Sequence, residues 1–163
     1  MATALKNLSD IGKQIIPSAK GMRFMLLVSE WNQGVTSALE KGARNTLLRH
    51  GVKPKNIELR SVPGSFELSL AAQFAAQLDF DAIICLGCII QGETRHFDFI
   101  SNAVANGITN VGLMYNKPVV FGVLTTDTLK QAQERAGGKH GNKGDEAAIT
   151  AIKMADLKRS LRK

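Results

Sequence analysis

The chain has no apolar run near the ~20 residues that a bilayer crossing requires, which excludes a membrane span. Its N-terminal segment, MATALKNLSDIGKQIIPSAKG, has no continuous apolar core followed by a small-residue cleavage site, so secretion is not expected. Leu5, Leu8, Ile11 and Ile15 are loosely helix-spaced, as in an organelle-targeting peptide, but the basic residues up to Lys20 are all lysines. Residues 1–20 therefore read as an N-terminal tail ahead of one domain, 21–163, and the cytoplasm is the expected compartment. Only two cysteines occur, Cys85 and Cys88, with no second C-x-x-C pair to complete a zinc site. Cys85 lies inside a run that reads as strand, and positions three apart on a strand point to opposite faces ~10 Å from each other. A disulfide needs Cα atoms within about 7 Å, so two free thiols are expected.

What is present is an ordinary globular composition, 44% apolar and 21% charged, with a net charge of +7. The positive excess points to anionic partners. The basic residues are scattered and lack interleaved aromatics, which weighs against nucleic acid and leaves a small phosphorylated ligand. Lys158, Arg159, Arg162 and Lys163 close the chain, where cations complement the negative end of a helix.

Four apolar runs rich in β-branched residues predict strands: Arg23–Ser29, Asn56–Val62, Ala82–Gly87 and Pro118–Thr125. Helical spacing falls between and after them. Leu39, Ala43 and Leu47 recur within Thr36–His50; Leu70, Phe74 and Leu78 follow the second strand; Ala148, Ile152 and Ala155 mark the last helix. Asp127 or Thr128 caps a further one, with Thr128 and Gln131 forming a capping box. Gly51 and Gly87 punctuate a helix end and a strand end. Strand–helix alternation without repeats or linkers predicts an α/β, flavodoxin-like three-layer sandwich: a four-stranded parallel sheet with helices on both faces.

Such sheets bind ligands at the carboxyl ends of their strands. The segments that follow the strands are SEWNQG, VPGSFE, CIIQGETRHFDF and TTDT; they hold the only tryptophan, Trp31, with Glu67 and His96. An imidazole titrates near neutral pH and moves protons, which makes His96 the candidate acid–base group. The bland reading is a surface histidine paired with Asp98. Gln91–Thr94 could present backbone N–H groups to an anion, although Glu93 argues the other way. Glu67 suits a polyol, or merely the positive end of a helix. The tract from Arg135 to Glu146 sets Arg135, Lys139 and Lys143 among glycines on a mobile-looking loop, a solvated face or a phosphate grip. His50, beside Gly51, needs no role beyond a helix end. No G-x-G-x-x-G or Walker loop occurs, nor a flavodoxin-type phosphate loop, and the acidic pair of a receiver domain is missing.

VPGSFEL, GCIIQGETRHFDF, FGVLTTDT and ERAGGKHGNKGDEAA, in this order and spacing, resemble the 6,7-dimethyl-8-ribityllumazine synthase family of riboflavin biosynthesis. The likeness runs from about Lys20 to the end. It implies a transferase that condenses 5-amino-6-(D-ribitylamino)uracil with 3,4-dihydroxy-2-butanone 4-phosphate, two small-molecule substrates, with no metal or organic cofactor. By motif, Trp31 resembles the aromatic stacked on the pyrimidine. Ser65, Phe66 and Glu67 match the segment holding the ribityl chain, and Cys88, Ile89 and Ile90 the one lining the ring. Glu93, Thr94 and Arg135 match the phosphate site, and His96 the proton donor. The resemblance places Phe121 and Arg135 in a neighbouring subunit's site, within a homopentamer; the length of AGGKHGNKG is similar to that of members forming 60-subunit capsids. Gln91 departs from the arginine common there. The rival readings are a non-catalytic flavin- or lumazine-binding shell protein and an enzyme that dismutates lumazine.

Overall fold

The computed structural model describes Asn7, Ser9, Asp10 and residues 15–161. Leu5, Leu8 and Ile11 of the targeting reading, and Arg162 and Lys163 of the basic terminus, lie outside the described residues. Four strands form one parallel sheet: β1 Phe24–Ser29, β2 Ile57–Val62, β3 Ala82–Ile90 and β4 Val119–Thr126, in the order β2-β1-β3-β4. All six residues of β1 and the first seven of β3 are buried, which is why these runs are continuously apolar rather than alternating. The fold is the flavodoxin-like α/β sandwich.

Helices α1 (Gln33–Arg49) and α5 (Lys143–Ser160) cover one face, and α2 (Leu68–Ala76) and α3 (His96–Met114) the other. Short α4, Leu129–Glu134, joins the α1/α5 layer through Ala132. The expected Leu39, Ala43 and Leu47 are buried on α1, as are Ala148, Ile152 and Ala155 on α5. Acids Asp145 and Glu146 open α5, and Lys158 and Arg159 sit in its last turn, matching the helix dipole. Thr128 caps α4 by accepting from the Gln131 N–H at 3.2 Å. His50 ends α1 through its backbone, and burial with the Arg49 charge holds its imidazole below its ordinary pKa.

Four expectations change. The sequence patterns marked no helix over 96–114, yet α3 is the longest of those described. On α2 the buried residues are Leu68, Ala72, Ala75 and Ala76, whereas Leu70 and Phe74 are 54% and 60% exposed, and Leu78 lies past the helix end, also exposed. Gly87 does not end β3, which runs on through Ile90; it is a glycine because a Cβ there would lie 2.6 Å from Ser65 Oγ. The Arg135–Glu146 tract is not a loose loop. It folds into an antiparallel ribbon, β5 Ala136–Gly138 with β6 Gly141–Asn142, tied by His140 N–H to the Glu134 carbonyl and Lys143 N–H to the Arg135 carbonyl.

The ribbon is held where α5 begins. Asn142 accepts from the Gly144 N–H at 2.8 Å and donates to the Ala38 carbonyl at 2.9 Å, while its own N–H reaches Ser9 Oγ. Ala19, in the segment expected as tail, is fully buried and bonds the His50 carbonyl. At the α1–α5 crossing a Cβ on Gly144 would lie 2.0 Å from the Leu39 carbonyl oxygen. Alanine normally stabilises a helix relative to glycine by about 1 kcal/mol, but here backbone meets backbone and steric cost dominates. Gly144→Ala is expected to lose about 3 kcal/mol, read in thermal denaturation as a Tm lowered by roughly 10 °C. An unchanged or higher Tm would contradict the crossing.

Candidate active site

The carboxyl ends of β1, β2 and β3 come together through the chain's own backbone. After Ser29, the Glu30 N–H bonds the Val62 carbonyl at 2.9 Å and the Trp31 N–H the Pro63 carbonyl at 3.4 Å, which carries Trp31 over the β2 turn. Its ring stands 73% exposed beside Gly64, where a Cβ would lie 3.5 Å from Trp31 Cδ1 and 3.0 Å from Glu67 Oε2. The indole edge and the Glu67 carboxylate thus flank one glycine. Glu67 is the N-cap of α2 but makes no capping bond with its side chain, which folds back over the turn instead. Ser65 is buried against Gly87, with its Oγ 3.5 Å from Ser29 Oγ, and Phe66 is exposed beside it.

Cys88, Ile89 and Ile90 form the last three residues of β3 rather than a loop. Cys85 packs with the α2/α3 layer and Cys88 with the α1/α5 layer, the opposite faces that strand geometry requires, and both thiols are free. Burial pushes Cys85 up to about 12 and Cys88 up to about 11, so neither is a nucleophile at neutral pH.

Beyond β3 the Gln91 N–H bonds the Thr126 carbonyl at 2.8 Å, pinning the start of the next segment to β4. Gln91, Gly92, Glu93, Thr94, Arg95 and His96 are all exposed. His96 opens α3, and its N–H donates to Thr94 Oγ1 at 3.3 Å. The anticipated His96–Asp98 pair does not form: two residues apart on a helix, their side chains diverge by about 200°. The nineteen-residue α3 has Arg95 as N-cap without a side-chain capping bond; the Asp98 N–H bonds the Arg95 carbonyl, so what the exposed helix head offers an anion is chiefly the positive end of its dipole. Among the described residues no group of three His, Cys, Asp or Glu side chains is placed to hold a metal ion.

Two expected residues lie away from this edge. Phe121 is third on β4 and pairs with Cys85, five residues before Thr126 and the carboxyl end, or ~17 Å back along the strand. It lines a cavity of about 910 Å³ between α3, β4 and α5 instead, with Lys143 and Glu146. Arg135 ends α4, where its Nη1 donates to the Gln131 carbonyl at 3.1 Å, in the α1/α5 layer across the sheet from α3. Lys143 is engaged with Glu146 at 3.0 Å, and Lys139 is exposed at the ribbon's turn.

A family model for 6,7-dimethyl-8-ribityllumazine synthase matches residues 21–159. The chain belongs to this family. A protein of that name from Cytophaga hutchinsonii is 59% identical over 94% of this chain and 97% of its own length. Others from Parabacteroides distasonis and Porphyromonas gingivalis are each 52% identical over 96% and 98% of this chain and 99% of theirs. Lumazine synthases are enzymes of riboflavin biosynthesis, and the fold and family together make this protein a transferase of that pathway. No helix among the described residues is long and apolar enough to cross a membrane.

One residue at the edge escaped the sequence patterns. Asn32 has a left-handed backbone, φ 60°, and its side-chain Nδ2 donates to the Cys88 carbonyl at 3.0 Å. Its only signal is an asparagine next to a helix start, which ordinarily reads as a cap.

The thiol assignment is open to measurement. Iodoacetamide at pH 8 is expected to leave both cysteines unmodified in the native protein and to alkylate both after denaturation, as read by intact mass. Rapid native labelling of either would contradict their burial. The linked stability runs in one direction: with folded pKa values raised above the ordinary 9.0, the thiols favour the fold fully below pH 9 and lose that contribution as pH rises through about 11 to 12.

Proposed function

We propose that the protein condenses 5-amino-6-(D-ribitylamino)uracil with 3,4-dihydroxy-2-butanone 4-phosphate to give 6,7-dimethyl-8-ribityllumazine, releasing phosphate and water. The observation that carries this is the meeting of Trp31, Glu67 and the end of β3 on one sheet edge, with the α3 N-terminus and His96 beyond Gln91. In this reading the pyrimidine stacks on Trp31, whose large face suits a heteroaromatic ring. Residues Ser65, Phe66 and Glu67 take the ribityl chain, with Glu67 accepting from its hydroxyls. Cys88, Ile89 and Ile90 line the ring, the strand backbone being the polar part of that wall.

The phosphate of the four-carbon substrate sits at the head of α3, against the backbone of Glu93 and Thr94. Gln91 brings no charge to that place, so the neutralising cation is Arg135 of an adjoining chain. Phe121 of the same neighbour closes the ring pocket. Both residues are too displaced from the edge of their own chain to serve it, and the exposed edge needs a second chain to exclude water. Exposed Leu70, Phe74, Phe99, Leu113 and Met114 supply apolar surface for such association. We place the reaction in a homopentamer in the cytoplasm.

Chemically the sequence is imine formation, phosphate elimination, ring closure and dehydration. Each step relocates a proton, and His96 is the group at hand. It works without Asp98 as partner, so its proton is exchanged with substrate or solvent. Bringing two substrates together provides much of the remaining acceleration.

Mixing both substrates and following lumazine fluorescence tests the activity; formation of riboflavin from lumazine alone would favour a dismutase instead. His96→Ala is expected to keep the fold and substrate binding while kcat falls about 10²-fold; unchanged kcat would remove the imidazole from the mechanism. Arg135→Ala takes away one charge-assisted hydrogen bond to the phosphate and is expected to raise KM for that substrate about 10-fold. A defect confined to the pyrimidine would contradict the assignment.

A further inference from the structure

We propose that Asn32 is a positioning residue for the pyrimidine substrate: its side-chain amide replaces a missing backbone rung and so sets the spacing between Trp31 and the end of β3. The inference rests on the reaction proposed above. It starts from unequal strand lengths. The β1–β3 register ends at Val28 and Leu86, whereas β3 and β4 stay paired to Ile90 and Thr126. Backbone groups of successive strand residues alternate sides. Since the Gln91 N–H turns toward β4, those of Cys88 and Ile90 turn toward the place β1 has vacated.

The chain leaving β1 does not return a backbone donor to that side. Glu30 and Trp31 both give their N–H groups to the β2 side, at the Val62 and Pro63 carbonyls. A half-buried carbonyl at Cys88 without a partner would be costly. Asn32 Nδ2 fills the position at 3.0 Å, across 56 residues of sequence.

The residue type follows from this. Asn32 sits at φ 60°, ψ 43°, a left-handed conformation that asparagine and glycine tolerate and branched residues resist. It precedes α1 as the N-cap yet makes no side-chain capping bond; its backbone carbonyl accepts from the Val35 and Thr36 N–H groups while the amide points to β3. The usual reason for an asparagine at a helix start is therefore absent. What the bond does connect is the residue next to Trp31 with the strand facing it. The other tie of Trp31, to the Pro63 carbonyl, is long at 3.4 Å. The shorter tie, from Asn32 to Cys88, therefore sets how far the Trp31 segment stands from the end of β3, where the proposed reaction places the pyrimidine ring.

Trp31 is the chain's only tryptophan, so its emission reports on this gap. The full chain, in its native assembly, is titrated with 5-amino-6-(D-ribitylamino)uracil while Trp31 fluorescence is followed, and KM is measured for both substrates. Asn32→Gly keeps the left-handed backbone at no steric cost and removes only the amide. It is expected to weaken the fluorescence midpoint and raise the pyrimidine KM about tenfold, with the KM for the phosphate ester within about twofold. Asn32→Asp keeps the shape but sets a carboxylate against a carbonyl, and the pyrimidine loss is expected to be larger. Wild-type affinity in both variants, or a loss shared equally by the two substrates as general loosening would give, overturns the inference. Should the glycine variant not fold, the aspartate variant decides by the same readouts. A wild-type protein whose emission ignores the pyrimidine overturns the activity reading, and this inference with it.

Discussion

Strand β3 runs on past Leu86, where its pairing with β1 ends, and the first residue beyond that point carries no side chain. A Cβ there would meet Ser65 Oγ at 2.6 Å and Leu68 Cδ1 at 3.1 Å, so both side chains would have to give way for the second loop to stay this close to the strand. The glycine lets the second loop lie against the third strand. Past the end of the β1 pairing, Cys88–Ile90 stay paired with β4 and leave their other side to the chain that departs from β1, which Asn32 meets at Cys88. Three contacts assemble the edge: the Ser65–Gly87 approach, the Asn32–Cys88 hydrogen bond and the Gln91–Thr126 tie that leads the chain toward α3.

The same chain is built to be covered. Both sheet faces are closed by helices, but α2 and α3 turn large apolar residues outward, and an apolar groove of about 440 Å³ runs between β2 and α2 past Met25, Leu27, Leu70, Phe74 and Leu78. Among the described residues nothing pairs with the outer sides of edge strands β2 and β4. Placed beside the displacement of Phe121 and Arg135 from their own site, this surface supports the proposal that a neighbour both buries the groove and completes the chemistry.

Much of the scaffold was legible from residue order. Continuous runs such as FMLLVS mark strands buried on both faces, and the α1 and α5 spacings name residues that are indeed inside. The failures share a cause. On α2 the bulky Leu70, Phe74 and Leu78 outweighed Ala72, Ala75 and Ala76, though the alanines face the sheet where backbones pack closely. On α3 the buried Val104, Ile108 and Val111 are masked by apolar residues turned to the outside, so no single stripe stands out. A periodicity argument assumes that apolar means inside its own chain, and here it does not.

At the edge, Trp31, Glu67 and His96 were legible because their position after a strand is topological. Gly87 and Asn32 were not, since a close approach and a left-handed backbone are relations between distant segments. The ribbon after Arg135 was likewise hidden, its glycines serving tight hairpin geometry and contact with Asn142 rather than looseness.

The central claim is that the reaction occurs between chains, with His96 from one and Arg135 from the next. Subunit complementation tests it most directly. His96→Ala and Arg135→Ala chains, expected to keep about 1% and about 10% of wild-type activity at phosphate-ester concentrations well below KM, are unfolded, mixed in equal amounts, reassembled and assayed under that condition. In a random cyclic assembly about a quarter of interfaces bring an intact His96 to an intact Arg135, so activity should recover to roughly that fraction of wild type. Mixed assemblies no more active than their parents would contradict the account.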